Sequence, residues 1–405
     1  MRRMTMSPTS TGACPYPFKR PSALEQPQEL RTIRRDPVVP VTLPSGDRAL
    51  LITRYADLRS VLSDERVSRD LTRPGTARMT KDNVMFQDPH ISPDPPEHTR
   101  MRRLITKAFT PRRVEELRPR TEKVVAGLLD AMEAGPRPGD LNEALAFPLT
   151  IRMTCELLGV PIEDQDRFRA WTDHFLSVSR FTGEEIGRAR GELIAYVQEL
   201  VAAKRAEPGD DLISAMIAVQ DDDTSGLSEY ELVYWTMLLL IAGYETTAGQ
   251  LGSSMVMMLD RPQDMARLRD RPELVPSAVE ELLRLQVMGS SLSMLRYVKE
   301  DIEVGGVLIP AGSSIIPSIE SANMDPEVFP SPETFDITRA DNRHVTFSTG
   351  IHFCAGAALA RMELQVALDA VVRRFPGLRP AVPVEELPRN EGALIQNFLR
   401  IPVEW

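Results

Sequence analysis

The chain has 405 residues, 42% of them hydrophobic and 26% charged, which is ordinary globular usage with enough apolar material for a sizeable core. A net charge of −10 excludes nucleic acid as the main partner, because phosphate recognition needs clustered positive charge. Three cysteines (Cys14, Cys155 and Cys354) cannot make a disulfide framework, and with no Cys-x-x-Cys pair they lack the usual ligand set for zinc.

Residues 1–40 are polar and interrupted by prolines, with no apolar stretch of signal-peptide length. They are expected to be irregular and to run over the surface of a single domain spanning 41–405. The longest apolar run, Leu232 to Gly243, is far short of the roughly 20 residues that cross a bilayer. A cytoplasmic protein without membrane association is expected. Only six of the 48 basic residues are lysine, an arginine bias typical of GC-rich genomes.

Ala49 to Tyr55 reads as a strand, and from there to about Leu285 the pattern is helical. Pro208-Gly209-Asp210 and the acidic stretch from Asp221 to Gly226 read as connections. One helix dominates. Ser228 and Glu231 have the spacing of a capping box, in which each side chain satisfies a backbone donor at the helix start. The pattern continues to Asp260, and Arg261-Pro262 ends it. The first half is apolar nearly all round, so the helix should be buried. After Leu285, the segment Asp301 to Ile316 alternates around Gly305-Gly306 and Pro310-Ala311-Gly312 and reads as hairpin strands. A second strand pair is expected over Ala393 to Trp405. The fold class is therefore mainly α with a small β part, one domain around a long central helix.

The strongest chemical signal is Phe347-Ser-Thr-Gly350-Ile-His352-Phe-Cys354-Ala-Gly356, followed at once by a helical run from Ala357 to Phe375. A thiolate ligates a metal only while it stays deprotonated, and a position just before a helix N-terminus favours negative charge. Gly350 and Gly356 allow tight turns around the sulfur, and Phe347 can screen it from water. Taken alone, the loop leaves two readings open, a thiolate ligand or a buried structural cysteine. Covalent haem attachment would need Cys-x-x-Cys-His, which is missing.

The loop resembles the haem-binding signature of the cytochrome P450 family, Phe-x-x-Gly-x-x-x-Cys-x-Gly, and three further motifs match in the right order from about residue 45 to the end. The family's Glu-x-x-Arg motif resembles Glu281-Leu-Leu-Arg284, with Arg339 as third member of a buried triad that fixes the loop behind the haem. Ala242-Gly243-Tyr244-Glu245-Thr246-Thr247 resembles the family's acid–alcohol pair, Glu245 and Thr246. Small residues there leave room for dioxygen, and the Thr246 hydroxyl can bond the carbonyl one turn back. Tyr244 stands where histidine is common and is expected to face away from the haem. His98, Arg102, Arg296 and His352 match positions that bind the haem propionates, to which arginine makes directional, charge-assisted bonds.

The resemblance implies the P450 fold, haem b (iron protoporphyrin IX) with Cys354 as axial ligand, and O2 as co-substrate. No Gly-x-Gly-x-x-Gly motif occurs, so electrons must come from elsewhere, and the resemblance implies a separate ferredoxin and its NAD(P)H-fed reductase. The basic run Arg100, Arg102, Arg103, Lys107, Arg112, Arg113, Arg118 and Arg120 is either a solvated helix face or the docking surface of that ferredoxin. A monomer is expected. Leu238, Ile241, Ser291, Leu292, Met294, Gln396 and Asn397 are expected to line the substrate pocket. None is charged, which points to a neutral, medium-sized small-molecule substrate of secondary metabolism. Three functions stay open: hydroxylation or epoxidation, oxidative C–C coupling or ring closure without oxygen insertion, and a haem sensor or carrier without turnover. The intact Glu245-Thr246 pair speaks against the last.

Overall fold

Ser228 caps the Glu229–Leu259 helix as its sequence predicts. Its hydroxyl accepts from the Glu231 amide, while the Glu231 carboxylate accepts from the Ser228 amide. The helix runs for 31 residues, and Pro262 opens the next helix, Pro262–Asp270. From Thr247 to Leu259 every residue is buried, in keeping with a sequence that is small or apolar apart from Gln250, whose Nε2 donates to Ser254 Oγ. The protein is described here by a computed structural model covering residues 4–5, 13–22, 24–83, 94–106, 109–221, 227–285 and 291–405. It is mainly α-helical with a smaller sheet part and divides into two compact units, 1–94 with 276–354, and 95–275 with 355–405.

The first unit holds the larger sheet and a small one. The six strands of the larger lie in the order Cys14–Pro15, Val38–Thr42, Arg48–Ile52, Ser314–Pro317, Arg296–Val298, Val67–Ser68. Val38–Thr42 and Arg48–Ile52 form an antiparallel hairpin, with Gly46 at φ +87° in its turn. Ser314–Pro317 then runs parallel to Arg48–Ile52, with Ile315 opposite Leu50. Leu50, Ile52, Val298 and Ile315 share one apolar core with Leu58 and Val61 of the Tyr55–Ser63 helix. The expected hairpin around Gly305-Gly306 is present, pairing Ile302–Val304 with Val307–Ile309. Residues 1–40 are less irregular than their prolines suggest, since they include Cys14–Pro15, the Glu29–Ile33 helix and the start of Val38–Thr42.

The second unit holds most of the helices, among them Pro111–Ala134, Phe147–Leu158, Gln165–Phe175, Gly183–Ala206, Glu229–Leu259 and Ala357–Arg374. The strand pair expected over 393–405 does not form. Pro402–Glu404 pairs instead with Gly139–Asp140 and Arg379–Pro380, both distant in sequence. Asp140 fixes this arrangement by accepting from the Ile401 amide at 3.0 Å. Among the described residues, no helix is long and apolar enough to cross a membrane.

Candidate active site

On the Glu229–Leu259 helix, burial is broken at few places. Leu238, Leu239, Gly243 and Thr246 are only half-buried and Ala242 is exposed, so positions 238, 242 and 246 form an open stripe at i, i+4 spacing. The stripe is apolar except for the Thr246 hydroxyl, which donates to the Ala242 carbonyl at 2.7 Å, the expected bond one turn back. Ile241, expected beside the stripe, is buried.

Glu245 points the other way and is 6% exposed. Burial pushes its carboxyl group up to about 7, with Asp173 adding to the rise and Asn397, Arg169 and Arg180 opposing it. A carboxyl group titrating near neutrality can hold or pass a proton at working pH. Its direct partner is Asn397, whose Nδ2 donates to Oε1. Asn397 was expected to meet substrate; it is buried and its donor is used by Glu245. Tyr244 packs its ring 5.9 Å from Phe147 and borders a cavity of about 480 Å³ with Ile151, Arg152 and Arg169. None of the residues expected to meet substrate lines that cavity.

The Cys354 loop lies at the end of the first unit. Gly350, at φ +73°, opens a short helical turn, Gly350–His352, and a Cβ there would meet the Leu62 carbonyl oxygen at 2.6 Å. Only glycine fits. Cys354 is exposed, its amide donates to the Phe347 carbonyl at 2.9 Å, and Ala357 begins the following helix. Phe347 and His352 are half-buried, and Ile351 and Phe353 expose large apolar surface, 53% and 43%. Gly356 has Phe109 as the nearest atom at 4.0 Å from a built Cβ, so space does not demand glycine there.

Behind this loop, Glu281 and Arg284 are both fully buried. Arg284 Nε and Nη2 donate to the two Glu281 oxygens at 2.8 Å, and Arg339 Nε reaches both at 3.1 and 3.2 Å. Asn342 and the Asp336 amide complete the carboxylate's bonds at 3.1 Å. Arg284 Nη1 donates to the carbonyls of Asn323 and Pro332, tying two loop segments to one side chain. Such a network specifies geometry more than it adds stability.

Arg296 is buried, with Nη1 bonded to the Met294 and Leu295 carbonyls. Burial and the charge of Arg69 pull its guanidinium well below the usual range, against Asp94. Arg69 is itself pulled down to about 10 by burial, and the two arginines directly flank the paired residues Ser68 and Tyr297. Two such guanidiniums suit a carboxylate-bearing ligand. Arg69 was missed in the sequence, where Val-Ser-Arg-Asp gave no signal. In the second unit His98 is buried and Arg102 half-buried, both on the Glu97–Thr106 helix.

Of the remaining residues expected to meet substrate, Leu238, Met294 and Gln396 are half-buried, while Leu292 is buried. Ser291 is a correction. It is buried, its hydroxyl donates to Glu320, and it accepts from the Ile319 amide at 2.8 Å, so its donor is taken within the protein. The basic run is largely paired as well: Arg100 with Glu231, Arg112 with Glu116, Arg118 with Glu115 and Arg120 with Glu156. Arg103 and Arg113 are exposed and have no carboxylate partner among the described residues; Lys107 lies outside them.

An exposed cysteine before a helix, a buried and a half-buried arginine suited to carboxylates and an open apolar stripe with one hydroxyl fit a haem-thiolate oxidase. The comparisons agree. The Cytochrome P450 family model matches residues 270–397. Nocardicin C N-oxygenase of Nocardia uniformis subsp. tsuyamanensis is 46% identical over 400 residues, covering 98% of this chain and all of that one. Mycinamicin IV hydroxylase/epoxidase of Micromonospora griseorubida is 43% identical, covering 91% of this chain and 93% of that one. Among solved structures, the LnmA cytochrome P450 hydroxylase from the leinamycin biosynthetic pathway of Streptomyces atroolivaceus S-140 superposes with a TM-score of 0.88 at 41% identity, covering 97% of this chain and all of that one. The chain belongs to the cytochrome P450 family and is a monooxygenase of that family. The family's cofactor is haem held by a thiolate.

Proposed function

We propose that the protein oxidises a neutral, medium-sized secondary metabolite by hydroxylation or epoxidation, with electrons from a ferredoxin and its NAD(P)H-fed reductase. The carrying observation is the open stripe on the Glu229–Leu259 helix, apolar apart from Thr246, with the buried Glu245 next to that threonine. Haem b, ligated by Cys354, supplies the activation of O2 when bound. Every other task falls to side chains of this chain. Arg296, Arg69 and His352 would hold the cofactor's carboxylates, a role that the family resemblance extends to His98 and Arg102. Glu281, Arg284 and Arg339 hold the loop that presents the sulfur. Glu245 exchanges a proton with the interior, and Thr246 Oγ1 carries a hydroxyl proton on the open side of the helix. Leu238 and Ala242 exclude water there, while Met294 and Gln396 contribute to the substrate's wall.

A neutral substrate remains the preferred class after Ser291 and Asn397 are withdrawn from the wall, because Leu238, Met294 and Gln396, which stay in it, carry no charge. The names of the relatives support a biosynthetic tailoring role, on mycinamicin IV in one case and nocardicin C in another. The 46% identity to an N-oxygenase favours a second reading, oxygen transfer to a substrate nitrogen. Reduced protein with carbon monoxide should show the red-shifted Soret band of a thiolate-ligated haem, and Cys354→Ser should lose it. An unchanged band in that variant would end the assignment. Product structures from a panel of neutral metabolites then separate attack at carbon from attack at nitrogen.

A further inference from the structure

Glu245 and Asn397 are 152 residues apart in sequence and meet side chain to side chain. The Asn397 backbone is fixed independently of that contact. Its carbonyl accepts from the Asn390 amide at 2.8 Å, and the next residue, Phe398, bridges to Arg389 and accepts from Asn142 Nδ2 at 2.6 Å. The amide therefore approaches Glu245 from a braced position. Its Nδ2 donates to Glu245 Oε1 and lies 3.4 Å from the Glu245 carbonyl oxygen.

The helix has made room for it. Gly249 lies one turn beyond Glu245, in a helix interior where glycine is less favourable than alanine. A Cβ on Gly249 would sit 1.6 Å from Asn397 Oδ1 and 2.4 Å from its Cγ. Gly252 repeats the device, since a Cβ there would come within 2.6 Å of Asn142 Oδ1. Neither glycine has a left-handed backbone, so space and not conformation explains them.

We propose that Asn397 is a positioning residue for Glu245, whose amide holds the carboxyl group in one orientation in both its charged and its neutral form. The inference rests on Glu245 as proton carrier and adds the residue that holds it. A carboxylate accepts from Nδ2, and so does the carbonyl oxygen of the neutral acid, whose own O–H stays available to pass its proton onward. Without a donor, a buried carboxylate is penalised further, so the proton is held to higher pH. The other charges acting on Glu245 are Asp173, which raises its proton affinity, and Arg169 and Arg180, which lower it. Arg169 is itself held by Glu143 at 2.7 Å, and Arg180 lies 4.0 Å from Asp173.

The test uses the holoenzyme and three variants. Asn397→Leu removes the donor at similar volume, and Gly249→Ala displaces the amide without changing it. Glu245→Gln identifies the Glu245 carboxyl stretch in the infrared by its loss. In the parent this band should titrate near neutrality. Asn397→Leu and Gly249→Ala should both move that titration to higher pH, by about one unit, and shift the pH profile of product formed per NADPH in the same direction. An unmoved band in a folded, haem-loaded Asn397→Leu protein overturns the proposal. Glu245→Gln tests the underlying reading on its own. Unchanged coupling in that variant removes the proton-carrying role, whereas impaired coupling there with an unmoved band in Asn397→Leu removes only the positioning role.

Discussion

Replacing Glu245 by glutamine should make the protein more stable at alkaline pH and leave it unchanged at acid pH. Burial pushes the Glu245 carboxyl group from its ordinary 4.5 up to about 7. Between those values the folded protein binds more protons than the unfolded chain, so stability falls as pH rises. The contribution is fully present below about pH 4.5 and is lost by the time pH has passed through about 7. At about 1.4 kcal/mol per pH unit, the loss amounts to about 3 kcal/mol. Glutamine keeps the shape and the oxygen that accepts from Asn397, but it does not titrate. Denaturant midpoints of the two proteins should therefore coincide near about pH 4, and near about pH 8 the variant should be more stable by about 3 kcal/mol. Comparing the two proteins at each pH cancels every other titrating group. A difference that is the same at both pH values would refute burial as the controlling effect. A more stable parent at pH 8 would mean that Arg169 and Arg180 outweigh desolvation.

Three further outcomes follow from the site. Thr246→Ala should bind haem and substrate as before but divert electrons to hydrogen peroxide, measured as peroxide and product per NADPH; parental coupling would remove the hydroxyl's role. Arg103→Glu and Arg113→Glu should slow reduction by ferredoxin most at low ionic strength, since salt screens charges over about 10 Å at 0.1 M, and stopped-flow rates independent of salt would restore the solvated-face reading. Glu281→Leu should destabilise the protein by about 3–5 kcal/mol, because it leaves Arg284 buried without a counter-charge; a denaturant midpoint equal to the parent's would show that water reaches the site.

Where a feature depends on residues close in the chain, the sequence was sufficient to find it. The Ser228–Glu231 capping box and the Arg261-Pro262 stop delimited the long helix, and Glu281 and Arg284 sit three apart on one helix face. The turn at Gly350 was legible for the same reason, and the structure supplies its cause in the Leu62 carbonyl. Features made by distant partners were not legible. A strand was expected near Pro402, but not its pairing with Gly139–Asp140. Ser291 looked available to a ligand because nothing local showed that Glu320 and the Ile319 amide use its hydroxyl.

Asn397 illustrates how such a partner still leaves a trace. As a residue in a C-terminal turn it offers only a polar side chain, and lining a pocket is the natural expectation for it. Its real partner is recorded on the other chain segment, as a glycine where helix propensity argues for alanine. Gly249 and Gly252 lower the intrinsic stability of a helix that is otherwise strongly apolar and well capped. In return they admit two asparagine amides, Asn397 onto Glu245 and Asn142 onto the Phe398 carbonyl. The helix that carries Glu245 and Thr246 is thus braced on its buried side by polar contacts from the C-terminal segment and from Asn142. Such contacts fix orientation, which packing of apolar side chains alone does not. A glycine inside a long buried helix therefore marks close approach by a neighbouring group, and here that neighbour is the amide that holds the carboxyl group beside Thr246.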